Sequence, residues 1–174
     1  LMHGAHAVRQ VQLFDQWLAL SVDDRVIVCP AENATSAYAR TYNGCRARIT
    51  SLHVAHDEIV TGDEIGEIHQ WPMSRPENVR RLRNGEGLPI ESIVQFRLGG
   101  VPCVVFAERS TPSVQLLPCP DPSQVIRYAS GQHAIRRCAA AGDLLVAVGE
   151  NRDRLLIWRP AESMDSCADI NVTA

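Results

Sequence analysis

The chain has 174 residues, 45% of them hydrophobic and 21% charged. That balance supports a buried core and excludes a disordered tail or a low-complexity fibre. Its net charge is −3 and all 17 basic residues are arginine, which disfavours a broad nucleic-acid surface and excludes lysine Schiff-base and phosphate-loop lysine chemistry. The apolar runs, such as Leu144–Val148, are too short to cross a bilayer.

Short alternating or apolar runs bounded by turn residues predict strands throughout. In chain order they are Val8–Leu13, Trp17–Ser21, Arg25–Cys29 and Ser36–Thr41, then Arg48–Val54, Glu58–Gly62, Gly66–Trp71 and Glu77–Leu82. The second half adds Ile90–Phe96, Pro102–Ala107, Ser113–Leu117 and Gln124–Tyr128, then Ala134–Ala139, Leu144–Val148, Arg154–Trp158 and Ala168–Val172. Turn pairs punctuate them: Asp23-Asp24, Asp63-Glu64, Gly99-Gly100 and Gly142-Asp143. No stretch shows a helical period with caps. The fold class is all-β.

The strands fall into a repeat. Every third strand ends at or near a proline, which cannot donate a ladder hydrogen bond and suits a strand exit. The equivalent last residues are Cys29, Trp71, Leu117 and Trp158, at separations of 42, 46 and 41. Gly4, Gly44, Gly85 and Gly131 open the four units at separations of 40, 41 and 46. Four strands per repeat of this length predict a β-propeller of four-stranded antiparallel blades. About four blades are expected in a single domain, near 4–43, 44–84, 85–130 and 131–174. Radial stacking covers both faces of each blade, so inner strands are expected to be apolar on both faces, as in Leu144–Val148.

Ile49–Trp71 and Ala134–Trp158 carry an apolar first strand, a second strand ending in or near glycine, and a third strand ending in tryptophan. In this the chain resembles the WD-repeat β-propeller family over roughly residues 4–160. No Trp-Asp dipeptide occurs, since Pro72 follows Trp71 and Arg159 follows Trp158. Asp23 alone matches the family's aspartate six residues before the third-strand end; Ile65 and Arg152 stand there in units two and four. The repeats are therefore divergent. Four units are fewer than WD-repeat propellers usually close with, which implies part of a larger or partner-completed propeller. A self-closed four-blade ring resembling the hemopexin-like family is the alternative.

Candidate chemistry is sparse. His53, His56, Asp57 and His69 invite a zinc reading, but His53 and His56 are not at helical spacing. Alternation puts His69 on the face of Trp71, not of His53. No metal and no cofactor are expected. The carboxylate pairs Asp23-Asp24 and Asp63-Glu64 read as solvated turns. The cysteines at 29, 45, 103, 119, 138 and 167 are too far apart for a CxxC site and read as buried thiols. Trp71, Trp158 and Trp17 read as core. No nucleophile motif is present, and the chain is not expected to be an enzyme.

One surface pattern remains. Arg9, Arg46, Arg48, Arg136 and Arg137 cluster around the starts of first strands, where the family resemblance implies one rim. Arginine forks suit carboxylates, phosphates and protein partners. Arg80, Arg81 and Arg83 sit on an outer strand, where charge blocks edge-to-edge pairing. The resemblance implies a non-catalytic protein–protein interaction scaffold within a multi-subunit assembly. An RNA- or ribonucleoprotein-associated propeller using the arginine rim is the alternative. The expected compartment is cytoplasmic, with nuclear as the alternative; no membrane is expected.

Overall fold

The computed structural model describes residues 7–33, 36–55, 57–83, 87–129, 134–150, 155–160 and 169–172. Gly4, Gly85, Gly131, His56, Arg152 and Cys167 lie outside these. The chain divides into two compact units, Leu1–Gly87 and Leu88–Ala174.

Unit 1 holds two antiparallel sheets. Sheet 1 runs β1 (Val8–Phe14), β2 (Trp17–Val22), β3 (Arg25–Pro30) and β4 (Arg40–Tyr42). Sheet 2 runs β5 (Ile49–Ala55), β6 (Glu58–Asp63), β7 (Ile68–Pro72) and β8 (Arg80–Arg83). Unit 2 repeats the plan. Sheet 3 runs β9 (Ile90–Leu98), β10 (Val101–Glu108), β11 (Ser113–Pro118) and β12 (Ile126–Ala129). Sheet 4 runs β13 (Ile135–Ala141), β14 (Leu144–Gly149), β15 (Leu155–Trp158) and β16 (Asp169–Val172). Each sheet thus pairs its four strands in sequence order, with short connections among the first three strands and a longer one before the fourth.

One predicted strand is corrected. Ser36–Tyr38 form a 3-10 turn, and only Arg40–Tyr42 pairs with β3. The segment has no alternating apolar face to hold it against the sheet, Tyr38 being 61% exposed, so a tight turn replaces the ladder.

Each unit has its own core between its two sheets. In unit 1, Ala19, Val26, Val28 and Tyr42 of sheet 1 meet Leu52, Val54, Ile59 and Trp71 of sheet 2. In unit 2, Val105, Ala107, Leu116 and Tyr128 of sheet 3 meet Cys138, Leu145, Ala147 and Trp158 of sheet 4. Sheets 2 and 3 are buried on both faces: β7, β10 and β11 carry runs of consecutive buried residues. Sheets 1 and 4 are not. On β14, Leu145 and Ala147 are buried while Leu144, Val146 and Val148 are half-buried. This strand is apolar on both faces, as expected, and only one of the two is sealed.

A bulge recurs at the start of every first strand. The pairing skips Arg9 in β1, Thr50 in β5, Glu91 in β9 and Arg136 in β13. Bulges bend a strand and re-aim the extra side chain, so these four residues occupy one repeated structural position.

Candidate functional site

The repeat-equivalent third-strand residues share a direction as well as a spacing. Trp71 and Trp158 point into the cores against sheets 1 and 3 respectively. Cys29 pairs with Leu18 and lies on the opposite face of sheet 1 from Val28. Leu117 pairs with Val104 and lies on the opposite face of sheet 3 from Leu116. All four residues are buried. Trp71 also donates its indole N–H to Asn43 O at 3.2 Å, fixing the β4–β5 connection. Asp23 sits at the β2–β3 turn with φ 51°, and its carbonyl accepts the Ile49 amide at 2.7 Å. Trp17 is only half-buried, with the Arg40 guanidinium 5.7 Å from its ring centre. The five described cysteines are buried free thiols.

The arginines divide between the units. Arg9 is exposed on β1, and Arg46 and Arg48 are exposed on the β4–β5 connection. Arg48 is engaged by Glu64, Nη2 to Oε2 at 2.8 Å. In unit 2, Arg136 and Arg137 are exposed on β13. They line a depression of about 360 Å³ with Glu91, Val148 and Gly149. Arg136 and Glu91 also border a second one of about 290 Å³ with Arg109 and Glu150. Glu91 already pairs with Arg109 at 3.0 Å, so this surface is of mixed charge. Sequence reasoning missed Glu91 because its kinship to Arg136 lies in the shared bulge, not in residue type.

A polar cluster inside unit 1 was not foreseen as a group. Asp63 closes β6, Glu67 precedes β7 and His69 lies within it; they are 0%, 2% and 1% exposed. The solvated-turn reading of Asp63 is thus corrected. Its Oδ1 accepts the amides of Ile65 at 3.1 Å and Glu67 at 2.8 Å, which folds the hairpin over the side chain. Glu64, beside it, is half-buried and pairs with Arg48. His69 is paired with Thr61 across the ladder, and Trp71 with Ile59, so His69 shares the face of Trp71. His53 pairs with Val60 and belongs to the opposite face.

The environment of His69 is defined on several sides. Its ring stacks on Trp71, with centres 5.8 Å apart and planes 26° apart. Its Nδ1 lies 3.7 Å from Cys45 Sγ, which lies 3.6 Å from Thr61 Oγ1. Its Nε2 lies 3.4 Å from Glu67 Oε2, an ion-pair distance without hydrogen-bond alignment. Arg81 Nε stands 3.8 Å from Glu67 Oε1. Burial pushes the Asp63 carboxyl above its ordinary range, the Ile65 and Glu67 amides opposing. Burial lowers His69, Glu67 opposing and Arg81 and Arg46 reinforcing. Burial pushes the Cys45 thiol up to about 12, so it stays protonated. One ligand atom from each of Asp63, Glu67 and His69 lies within 4.8 Å of the other two.

No family model matches the chain, and no curated protein matches it. Among solved structures it is similar to the computationally designed Ika4 protein, with a TM-score of 0.69 and 13% identity over 91% of this chain and 94% of that one. It is also similar to the computationally designed Ika8 protein, with a TM-score of 0.66 and 17% identity over 94% of this chain and 50% of that one. At these identities the likeness establishes the fold alone: an all-β chain of four antiparallel four-stranded sheets.

Proposed function

We propose that the chain is a non-catalytic interaction module, a WD-repeat-like propeller segment whose four sheets are blades and whose outermost blades are completed by another chain. One observation carries this reading. The face of sheet 1 turned away from its core bears Val11, Leu13, Leu18, Leu20 and Ile27, paired across β1, β2 and β3. Val11 and Leu13 are 61% and 63% exposed. The corresponding face of sheet 4 bears Leu144, Val146, Val148, Leu155 and Ile157, of which Leu155 is exposed and the rest half-buried.

Contiguous apolar surface of this kind marks an association site. Its shape is that of a pleated, fully paired sheet. In both units the opposite face of the same sheet is covered by a second sheet. The occupant that fits is therefore the apolar sheet face of a partner protein, stacked as the unit cores are stacked.

Light scattering after size exclusion tests this on the purified chain and on its native extract. The expected result is a mass above 19.2 kDa, from a partner or a second copy, that reverts to the monomer value in a Val11→Lys/Leu13→Lys/Leu155→Lys variant, which charges both uncovered faces. A 19.2 kDa monomer in both samples, or a complex indifferent to that variant, overturns the reading.

A further inference from the structure

The cluster of Asp63, Glu67 and His69 plays no part in the interaction surface; the turn cap made by Asp63 Oδ1 and the stack of His69 on Trp71 use only some of its atoms. Burying two carboxylates beside each other is costly unless each is compensated. Compensation here is partial. Asp63 satisfies Oδ1 with two backbone amides. Glu67 has Arg81 at 3.8 Å on Oε1. Asp63 Oδ2, Glu67 Oε2 and His69 Nε2 are each buried with no hydrogen-bond partner. Each of the three side chains therefore keeps one uncommitted donor atom within the same small volume.

We propose that Asp63, Glu67 and His69 form a binding site for one divalent transition-metal ion, of the Zn²⁺ class, held by two carboxylate oxygens and one imidazole nitrogen. The donor set suits that class, since a mixed nitrogen and oxygen site with a single histidine favours Zn²⁺ over the hard, all-oxygen ions. The spacing suits it too. Ion–donor bonds of about 2.1 Å in a tetrahedron place donors about 3.4 Å apart. Glu67 Oε2 and His69 Nε2 already stand at 3.4 Å, and the Asp63 carboxylate lies within reach of a small side-chain adjustment.

The surroundings supply a second argument. An ion on Nε2 requires the imidazole proton on Nδ1, and ligating histidines donate that proton to a neighbouring acceptor. Cys45 Sγ stands 3.7 Å from Nδ1 and can accept it, with Thr61 Oγ1, 3.6 Å from the sulfur, available to take the thiol's own S–H. The Trp71 ring holds the imidazole plane. Cys45 is thus a positioning residue, and Arg81, partly exposed, balances the charge of Glu67 on the solvent side.

The test uses the full chain, stripped with a chelator and titrated with Zn²⁺ alone by calorimetry and native mass spectrometry. The expected result is one ion per chain with a raised melting temperature. Affinity should fall by more than about tenfold in Glu67→Gln and His69→Gln, and by about tenfold in Cys45→Ala, whose effect is through ring orientation. Co²⁺ loading of the unaltered chain gives a second readout that no variant's folding can spoil: a visible ligand-field band of tetrahedral intensity. No stoichiometric Zn²⁺ in the unaltered chain overturns the proposal. So does binding of equal strength in a folded His69→Gln chain, which would place the ion on other histidines.

Discussion

Gln12 grips Val54 with both ends of its amide: Nε2 donates to Val54 O at 3.1 Å and Oε1 accepts Val54 N–H at 2.8 Å. Val54 lies on β5, an edge strand of sheet 2, and the groups bound are main-chain ones that such an edge leaves without a ladder partner. Gln10 does the same for Thr50 O at 3.2 Å. In unit 2, Ser92 of β9 accepts the Cys138 amide at 3.1 Å and donates to the Cys138 carbonyl at 3.4 Å. In both units a side chain of one first strand thus closes the edge of the next.

Gln12→Ala should therefore cost about 1–3 kcal/mol, because it leaves a partly buried N–H and C=O without partners. Gln12→Glu should lose less, keeping the acceptor for Val54 N–H. Urea unfolding followed at the tryptophans of unit 1 measures the cost. Hydrogen exchange should localise it, with the Val54 amide losing protection first. An unchanged exchange rate at Val54 would refute the edge-closing role.

The strands were legible because period-two alternation and exit prolines are local signals, and Pro30, Pro72 and Pro118 each close a third strand in the structure. The direction of His69 was legible for the same reason. What was not legible depends on contacts between distant residues. Cys45 meets His69 across 24 positions, and no spacing rule joins them. Asp63 read as a turn carboxylate with Glu64 because charge in a hairpin is ordinarily solvated. Its burial follows from its capping its own turn, a geometry that composition does not encode. One signal was present: Glu67, just ahead of β7, continues the alternation of His69 and Trp71 within it, so a charge was bound to share the core face of a tryptophan.

Trp71→Phe tests how far one side chain organises unit 1. The indole N–H holds Asn43 O at 3.2 Å, the ring stacks on His69, and Tyr42 meets it edge-on at 6.4 Å. Loss of the hydrogen bond and of part of the buried ring should cost about 2–4 kcal/mol. The His69 ring should also become more mobile, seen as broadening of its imidazole resonances. A variant as stable as the parent would mean that the β4–β5 connection is held by Tyr42 Oη donating to Met73 O at 2.6 Å and not by Trp71.

Unit 2 should lose stability in alkali. Burial raises the Cys138 thiol from 9.0 to about 11, with the Ser92 hydrogen bond and Arg137 opposing. The folded state therefore keeps this proton where the unfolded chain gives it up. The stabilisation is present in full below about pH 9 and is lost as pH rises toward about 11, at no more than about 1.4 kcal/mol per pH unit. Urea midpoints read at Trp158 on either side of this window should show the fall. Cys138→Ala should reduce it, leaving the part due to Cys103, whose thiol burial also raises. An equal alkaline loss in that variant would assign the effect to another group.

Leu13→Lys should barely change the stability of the isolated chain. Leu13 is 63% exposed and pairs across the ladder with the half-buried Leu18, so little of its surface is removed from water in the fold. An exposed strand site tolerates a lysine stem lying along its neighbours, and the expected change is within about 0.5 kcal/mol. Ala19→Lys, on the opposite face of the same sheet and buried in the unit 1 core, should by contrast prevent folding of unit 1. Thermal melts of the two variants measure the difference between the faces. Comparable destabilisation by both would mean that the outer face of sheet 1 is already sealed within the free chain, and would remove the surface on which the interaction reading rests.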